Sequence, residues 1–242
     1  MGLRRGFVAC LLVGALVLGI SVMSWGADSN TPEASLRSAF PQVQFDKIIS
    51  SEIPGIYEVY AGPNIFYYYP AKDIIISGEM FGKDLKSITA EHRNAVAAQL
   101  VKTLPLEKAV KIGDGKKKVV EFTDPDCPYC RKAAEFFTKR TDVTRYVFFA
   151  PLAHPAAINK IQYILGAPNK AEAYDAMMVG QEIPANAKPA SEAVKALAQE
   201  HLSLAKKVGV QGTPTFFING QQIVGADTKK IEQLLGPPAP AK

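Results

Sequence analysis

The stretch Val119-Val120-Glu121-Phe122-Thr123-Asp124-Pro125-Asp126-Cys127-Pro128-Tyr129-Cys130-Arg131-Lys132-Ala133-Ala134-Glu135-Phe136-Phe137 passes from an apolar run, through two cysteines, into a helix-compatible pattern. Residues 119–123 read as a buried strand and 128–139 as a helix. Pro128 fits the first helical positions, where its missing N–H costs nothing. Two thiols spaced this way at a helix start can close into a disulfide and reopen. Helix amides and the positive end of the dipole face Cys127. A free thiol has a pKa near 8.5, and such settings lower it to roughly 3.5–7.5. Cys127 is therefore expected to be the exposed nucleophile. Cys130, one turn inward, is expected to be less exposed and to resolve the adduct. Glu121, in a strand of apolar neighbours, is expected to be buried with a raised pKa and to shuttle a proton for Cys130. The Asp124-Pro125-Asp126 turn shapes the entrance, and its charges oppose the thiolate slightly.

Downstream, Arg145-Tyr-Val-Phe-Phe-Ala150 reads as a second strand. Strand, helix, strand implies a parallel pair with a right-handed crossover. Three helices are expected over 156–165, 170–179 and 190–208. Thr215–Ile218 and 222–224 then flank Asn219-Gly220, a strong hairpin signal. A terminal helix, Thr228–Leu235, follows, and Gly236-Pro237-Pro238 opens a loose tail.

Upstream, residues 28–85 read as a small α+β unit. Thr31-Pro32-Glu33 starts a helix that runs to about Phe40, where Pro41 stops it. Strands are expected over 44–51, 56–61, 65–69 and 73–77. Tyr57, Tyr60, Phe66, Tyr67, Tyr68 and Tyr69 load this sheet with aromatics. So small a unit buries little core, and one face is expected to meet a partner, which implies dimerisation. The alternative is that the aromatics pack within the unit or against the rest of the chain. Residues 88–104 carry a helical stripe (Ala95, Val96, Ala97, Leu100, Val101) and read as a stiff linker of roughly 25 Å.

The whole chain has 242 residues, 48% hydrophobic and 21% charged, which excludes wholesale disorder. Residues 1–27 read as a signal peptide: Arg4 and Arg5, an apolar run from Phe7 to Val22, then Ser24, Gly26 and Ala27. Cleavage is expected after Gly26 or Ala27, with a retained anchor as the alternative. Removal takes Cys10 away and leaves Cys127 and Cys130 alone. A staple across two residues constrains almost no loop entropy, so this pair reads as redox chemistry rather than structure. Structural zinc wants four ligands, and His92, His154 and His201 are scattered, so no metal is expected. Each His reads as a surface or helix residue. Lys116-Lys117-Lys118 beside Gly113-Asp114-Gly115 reads as a solvated turn with no interleaved aromatics, so no nucleic-acid partner is expected despite the net charge of +5.

Taken in order, the dithiol at a helix start, the loop Val208-Gly209-Val210-Gln211-Gly212-Thr213-Pro214-Thr215 and Glu121 before the dithiol resemble the thioredoxin fold. The resemblance implies a cis Pro214 that holds Thr213 beside Cys127, where its backbone pairs with a substrate strand; Pro128 and Tyr129 join them as substrate-binding residues. Over residues 30–235 the chain resembles the periplasmic disulfide isomerases of the DsbC/DsbG type. Ile74-Ile75-Ile76-Ser77-Gly78-Glu79-Met80-Phe81 is similar to the end of that family's N-terminal sheet, and Phe122-Thr123-Asp124 to its catalytic strand. The resemblance implies an N-terminal dimerisation domain (28–85), a linker helix (86–105) and a thioredoxin-fold catalytic domain with a helical insert (106–236), followed by the tail 237–242. It further implies a V-shaped periplasmic homodimer, no cofactor beyond the redox-active Cys127–Cys130 disulfide, misfolded disulfide-containing secreted proteins as substrates, and a membrane reductase of the DsbD type as electron source. A well-known member has Gly in place of Pro128 and a second, structural disulfide. The first difference bears on the redox potential, and the second implies a domain held by packing alone. Pro128-Tyr129 is also the dipeptide of glutaredoxins. The expected function is a disulfide isomerase or reductase. Its rivals are a monomeric DsbA-like oxidase, a reductase dedicated to one partner and a redox-inactive holdase chaperone.

Overall fold

The computed structural model describes residues 31–238. The expected signal peptide, Cys10 within it and the last residues of the expected tail lie outside the described residues. The first helix, α1 (Pro32–Ala39), has Thr31 as its cap, whose hydroxyl accepts from the Ala34 amide at 3.2 Å. Four antiparallel strands follow in spatial order: β1 (Lys47–Ser50), β2 (Tyr57–Ala61), β3 (Asn64–Tyr69) and β4 (Ile74–Ile76). The register pairs Val59 with Phe66 and Tyr57 with Tyr68. One sheet face therefore carries Val59, Phe66 and Tyr68, which pack on Leu36 of α1 and on Phe40 just after it.

The opposite face presents Glu58, Tyr60 and Tyr67 to α2 (Ile88–Leu100). Tyr60, Tyr67 and Tyr68 are all buried. Polar atoms on this face are paired: Glu58 accepts from the Tyr60 hydroxyl at 2.8 Å and meets His92 Nδ1 at 2.9 Å, and the Tyr67 hydroxyl meets that of Thr89. The aromatics are thus used up within the unit and against α2. Among the described residues, the exposed large apolar side chains of this region are instead mostly aliphatic, including Ile49, Ile53, Ile74 (48%) and Ile76 (40%), with Phe81 the aromatic exception.

Helix α2 is shorter than the expected linker and ends in a 3₁₀ turn, Val101–Thr103. It is not a free spacer. Ala97, Leu100 and Val101 join the apolar cluster around Phe122 and Phe148. A helix whose stripe finds a sheet-covered core docks on it, because burial is favourable wherever a complementary apolar surface is in reach.

The second sheet has the order β5-β7-β6-β8-β9. Its strands are β5 (Val110–Ile112), β6 (Lys117–Thr123), β7 (Val143–Phe149), β8 (Thr215–Ile218) and β9 (Gln221–Val224). The β6–β7 pair is parallel and is joined by α3 (Pro128–Thr138); the other pairs are antiparallel. An insert of three helices, α4 (Ile158–Gly166), α5 (Lys170–Met178) and α6 (Glu192–Val208), separates β7 from β8, and α7 (Thr228–Leu235) closes the chain. Asn219 and Gly220 both take positive φ, +51° and +77°, as the two-residue turn between β8 and β9 requires. The edge strand β5 was not expected; three residues between a 3₁₀ turn and a glycine turn carry no readable alternation.

Alternation along β6 sends Phe122 to one face, where it stacks on Phe148 with centroids 5.4 Å apart, and Glu121 to the other. Helix α6 is pinned to β7 by His201, a fully buried histidine. The Phe149 amide donates to its Nδ1 at 3.2 Å, so the proton sits on Nε2, which donates to the Lys108 carbonyl at 2.9 Å. Burial pushes its pKa down to about 4, with the Lys108 carbonyl pulling the other way. The unfolded chain takes up that proton near the ordinary value of about 6.5. Between these two values the unfolded state binds more protons, so stability is lost as the pH falls, by roughly 3 kcal/mol at most. Urea melts from pH 7 to 4.5 should show that slope in the wild type and a flatter one in His201→Gln. Equal slopes would remove His201 as its source.

Among the described residues no helix is long and apolar enough to cross a membrane.

Candidate active site

Strand β6 runs directly into Asp124-Pro125-Asp126, and α3 opens with Cys127 as its cap and Pro128 at its first position. The turn is tied by its own backbone: the Cys127 amide donates to the Asp124 carbonyl at 3.1 Å, and the Asp126 amide to Asp124 Oδ1 at 2.9 Å. Cys127 therefore sits where the first helical amides are unpaired and the dipole is positive.

Both cysteines are free thiols. Cys127 keeps 6% of its surface exposed and Cys130 none. The expected order of access holds, but Cys127 is far less open than expected. Its cover is the loop before β8: Cys127 Sγ donates to the Thr213 carbonyl at 3.5 Å. The Thr213–Pro214 peptide is cis. Pro128 and Tyr129 stand outside this contact and face solvent, Tyr129 with 65% exposure. Burial pushes the Cys130 thiol well above the ordinary range; the Thr123 hydroxyl and the Asp124 amide oppose it, and the neighbouring Cys127 adds to it. Cys130 is thus held as a thiol at neutral pH.

Glu121 is fully buried, as its neighbours implied, but it is not a lone acid. Arg145 on β7 donates from Nη1 to Glu121 Oε2 at 3.0 Å and to the Tyr174 hydroxyl at 3.0 Å, and Tyr174 donates to Glu121 Oε1 at 3.3 Å. The guanidinium carbon also lies 4.9 Å from the Phe137 ring centroid. Burial alone would lower the Arg145 pKa; Tyr174 and Glu121 more than reverse it, so the guanidinium stays charged. Tyr174 is pushed up by burial and then by Glu121, and stays a phenol. It packs in the same apolar cluster as both cysteines. Sequence reading missed Arg145 and Tyr174. Glu121 and Arg145 are each a charge in a largely apolar strand, but at 24 positions apart no local pattern joins them.

The two acids of the turn are also partnered, so their charges do not stand open beside Cys127. Asp124 is buried and meets His154 Nδ1 at 2.8 Å. Asp126 Oδ1 accepts from Lys160 Nζ at 2.8 Å and lies 3.4 Å from an Arg131 Nη2. None of the three histidines is idle: His92 and His154 each hold a buried carboxylate, and His201 is a core residue. Among the described residues no group of three or more His, Cys, Asp and Glu side chains gathers as a metal site.

This arrangement brings Cys127, Cys130, Thr213 and Pro214 to one place, with Glu121 in the adjoining buried cluster. Chemically, it offers one thiol at a helix N-terminus under a backbone carbonyl and a second, buried thiol three residues on.

Comparison with known proteins agrees in both halves. Residues 104–236 match the family model of the thioredoxin-like domain, and residues 25–90 that of the disulfide bond isomerase protein N-terminal domain. The probable thiol:disulfide interchange protein DsbC of Bordetella avium is 30% identical over 166 residues, which cover 67% of this chain and 58% of that protein. Its Bordetella pertussis counterpart is 28% identical, covering 71% and 61%. The chain thus spans about three-fifths of the length of these curated relatives. Among solved structures, a linker-deletion variant of Proteus mirabilis ScsC superposes with a TM-score of 0.51 at 20% identity, over 60% of this chain and 84% of that one, which is a likeness of fold.

Proposed function

The chain belongs to the DsbC family of thioredoxin-fold proteins, and we propose that it is a periplasmic disulfide isomerase and reductase working through the Cys127–Cys130 dithiol. The observation that carries this reading is the pairing of Cys127, capped under the Thr213 carbonyl at 3.5 Å, with a fully buried Cys130 three residues on. An attacking sulfur belongs at the helix start, and a resolving sulfur behind it.

The Cys127 thiolate attacks a wrong disulfide of a secreted protein. One S–S bond breaks, one substrate sulfur joins Cys127 in a mixed disulfide, and the other is freed as a thiolate on the still-tethered substrate. That thiolate attacks elsewhere in the substrate and finally expels Cys127, which completes an isomerisation. Otherwise the Cys130 thiol gives up its proton and attacks the Cys127 sulfur; the substrate departs reduced and the enzyme holds a Cys127–Cys130 disulfide. Glu121 takes that proton in our reading, as the carboxylate in the buried set that includes Tyr174. Displacing the Thr213 carbonyl from Cys127 lets its backbone pair with an extended substrate segment, while Pro214, Pro128 and Tyr129 frame the entrance. The site needs no cofactor, and a membrane reductase of the DsbD type returns the dithiol to the thiol state.

The N-terminal unit (28–85) is the dimerisation domain, joined through 86–105 to the catalytic domain (106–236). Support comes from β4, an edge strand with Ile74 and Ile76 exposed beside Ile53 and Phe81. An apolar edge strand left open is an invitation to pairing, and a second copy of the same edge closes it. Two charges there should abolish pairing: Ile74→Lys/Ile76→Lys is expected to sediment as a folded monomer and the wild type as a dimer. A wild-type monomer would contradict this part. For the activity, the reduced protein should speed recovery of a scrambled disulfide-containing enzyme, and no gain over Cys127→Ser would end the isomerase reading.

A further inference from the structure

The Asp124-Pro125-Asp126 turn places two carboxylates within three residues of the attacking sulfur. Left open, both would disfavour the Cys127 thiolate. Both are met instead, and both by the short stretch that opens the helical insert: His154 holds Asp124 at 2.8 Å and Lys160, on α4, holds Asp126 at 2.8 Å. Lys160 keeps only 17% of its side chain exposed and Asp126 25%, so the pair is shielded from bulk solvent more than an ordinary surface bridge. Arg131 reaches the same Asp126 Oδ1 at 3.4 Å, a longer and more exposed contact, and its Nε is already donated to the Pro125 carbonyl at 2.8 Å. Of the two cations on Asp126, Lys160 makes the shorter and better shielded bridge.

We propose that Lys160 is a positioning residue of the dithiol, whose charge cancels that of Asp126 beside Cys127 and so sets how readily the Cys127–Cys130 disulfide forms. The inference rests on the redox reading of this dithiol. The direction follows from charge. A thiolate on Cys127 can exist only in the reduced form, never in the disulfide. A nearby cation favours the reduced form, and an uncompensated carboxylate favours the disulfide. Lys160 thereby acts on the dithiol through the charge of Asp126, beside the apolar packing of the insert around both cysteines.

The test is redox equilibrium with glutathione at pH 7, followed by mass after acid quench and alkylation. One glutathione disulfide is reduced to two glutathione thiols for each protein dithiol oxidised, so atoms and electrons balance. Lys160→Met should raise the equilibrium constant for protein disulfide formation about threefold, in the range of a half-shielded ion pair. Asp126→Asn should lower it by a similar factor. The double variant Asp126→Asn/Lys160→Met should return to within about 1.5-fold of wild type, and Lys160→Arg should stay there too, which a merely structural role for Lys160 does not predict. An unmoved Lys160→Met, or a double variant as displaced as the single, overturns the proposal. Should Lys160→Met fail to fold, Asp126→Asn decides alone: no shift, or a shift toward the disulfide, overturns it. A wild type that forms no disulfide with glutathione at all would sink the redox reading itself, which keeps the two failures apart.

Discussion

Cys127→Ser should reduce the reshuffling of scrambled disulfides to the uncatalysed background, while Cys130→Ser should keep the first attack and stall. The asymmetry follows from position. Cys127 alone stands at the helix start with any surface exposed, and a hydroxyl there has neither the acidity nor the polarisability to attack sulfur. Cys130 is buried and held as a thiol, so it cannot substitute for the lost nucleophile. Without it, the mixed disulfide on Cys127 has no internal partner and should accumulate with protein substrates as a species visible on non-reducing gels. If Cys130→Ser turned over reductively as the wild type does, the assignment of resolving thiol would fall. Quantitative pull-down of one dominant partner by that variant would instead point to a dedicated reductase.

The largest stability effect is expected at Arg145. Arg145→Met leaves Glu121 buried with only the Tyr174 hydroxyl to answer its charge. Breaking a buried pair from one side costs about 3–5 kcal/mol. In a chain of this size that lowers the melting temperature by about 10 °C. Glu121→Gln/Arg145→Met should recover part of the loss, because the orphaned charge goes with its partner. Glu121→Gln alone also tests the proton acceptor: it should slow release of substrate by Cys130 while leaving the first attack by Cys127 unchanged. Equal melting of the wild type and Arg145→Met would mean that the pair contributes nothing to the fold.

Local chemistry explains what could be read in advance. Thr31 before Pro32, Asn219-Gly220 and the terminal stripe 228–235 each declare themselves within a few residues, and the structure places elements there. The β6–α3–β7 crossover was legible for the same reason. What stayed hidden depends on residues far apart along the chain. Glu121 and Arg145 are 24 positions apart, and Asp126 and Lys160 are 34 apart, so nothing local marks either as a pair. The same holds for Cys127: its cover comes from Thr213, 86 positions away. For α2 the apolar stripe was readable, but a stripe does not say which surface it meets, and the packing of Ala97 on the Phe122 cluster was not foreseen. In the N-terminal sheet, aromatic content alone could not tell a face turned to α1 and α2 from one turned outward. The open isoleucines of β4 carry that role instead.

One measurement goes straight to the central claim that Cys127 attacks and Cys130 resolves. The reduced protein is exposed to a brief pulse of iodoacetamide at pH 7, and peptide masses locate the label. The account predicts label on Cys127 while Cys130 remains unmodified until the protein is denatured. Label arriving equally on both, or first on Cys130, would contradict it.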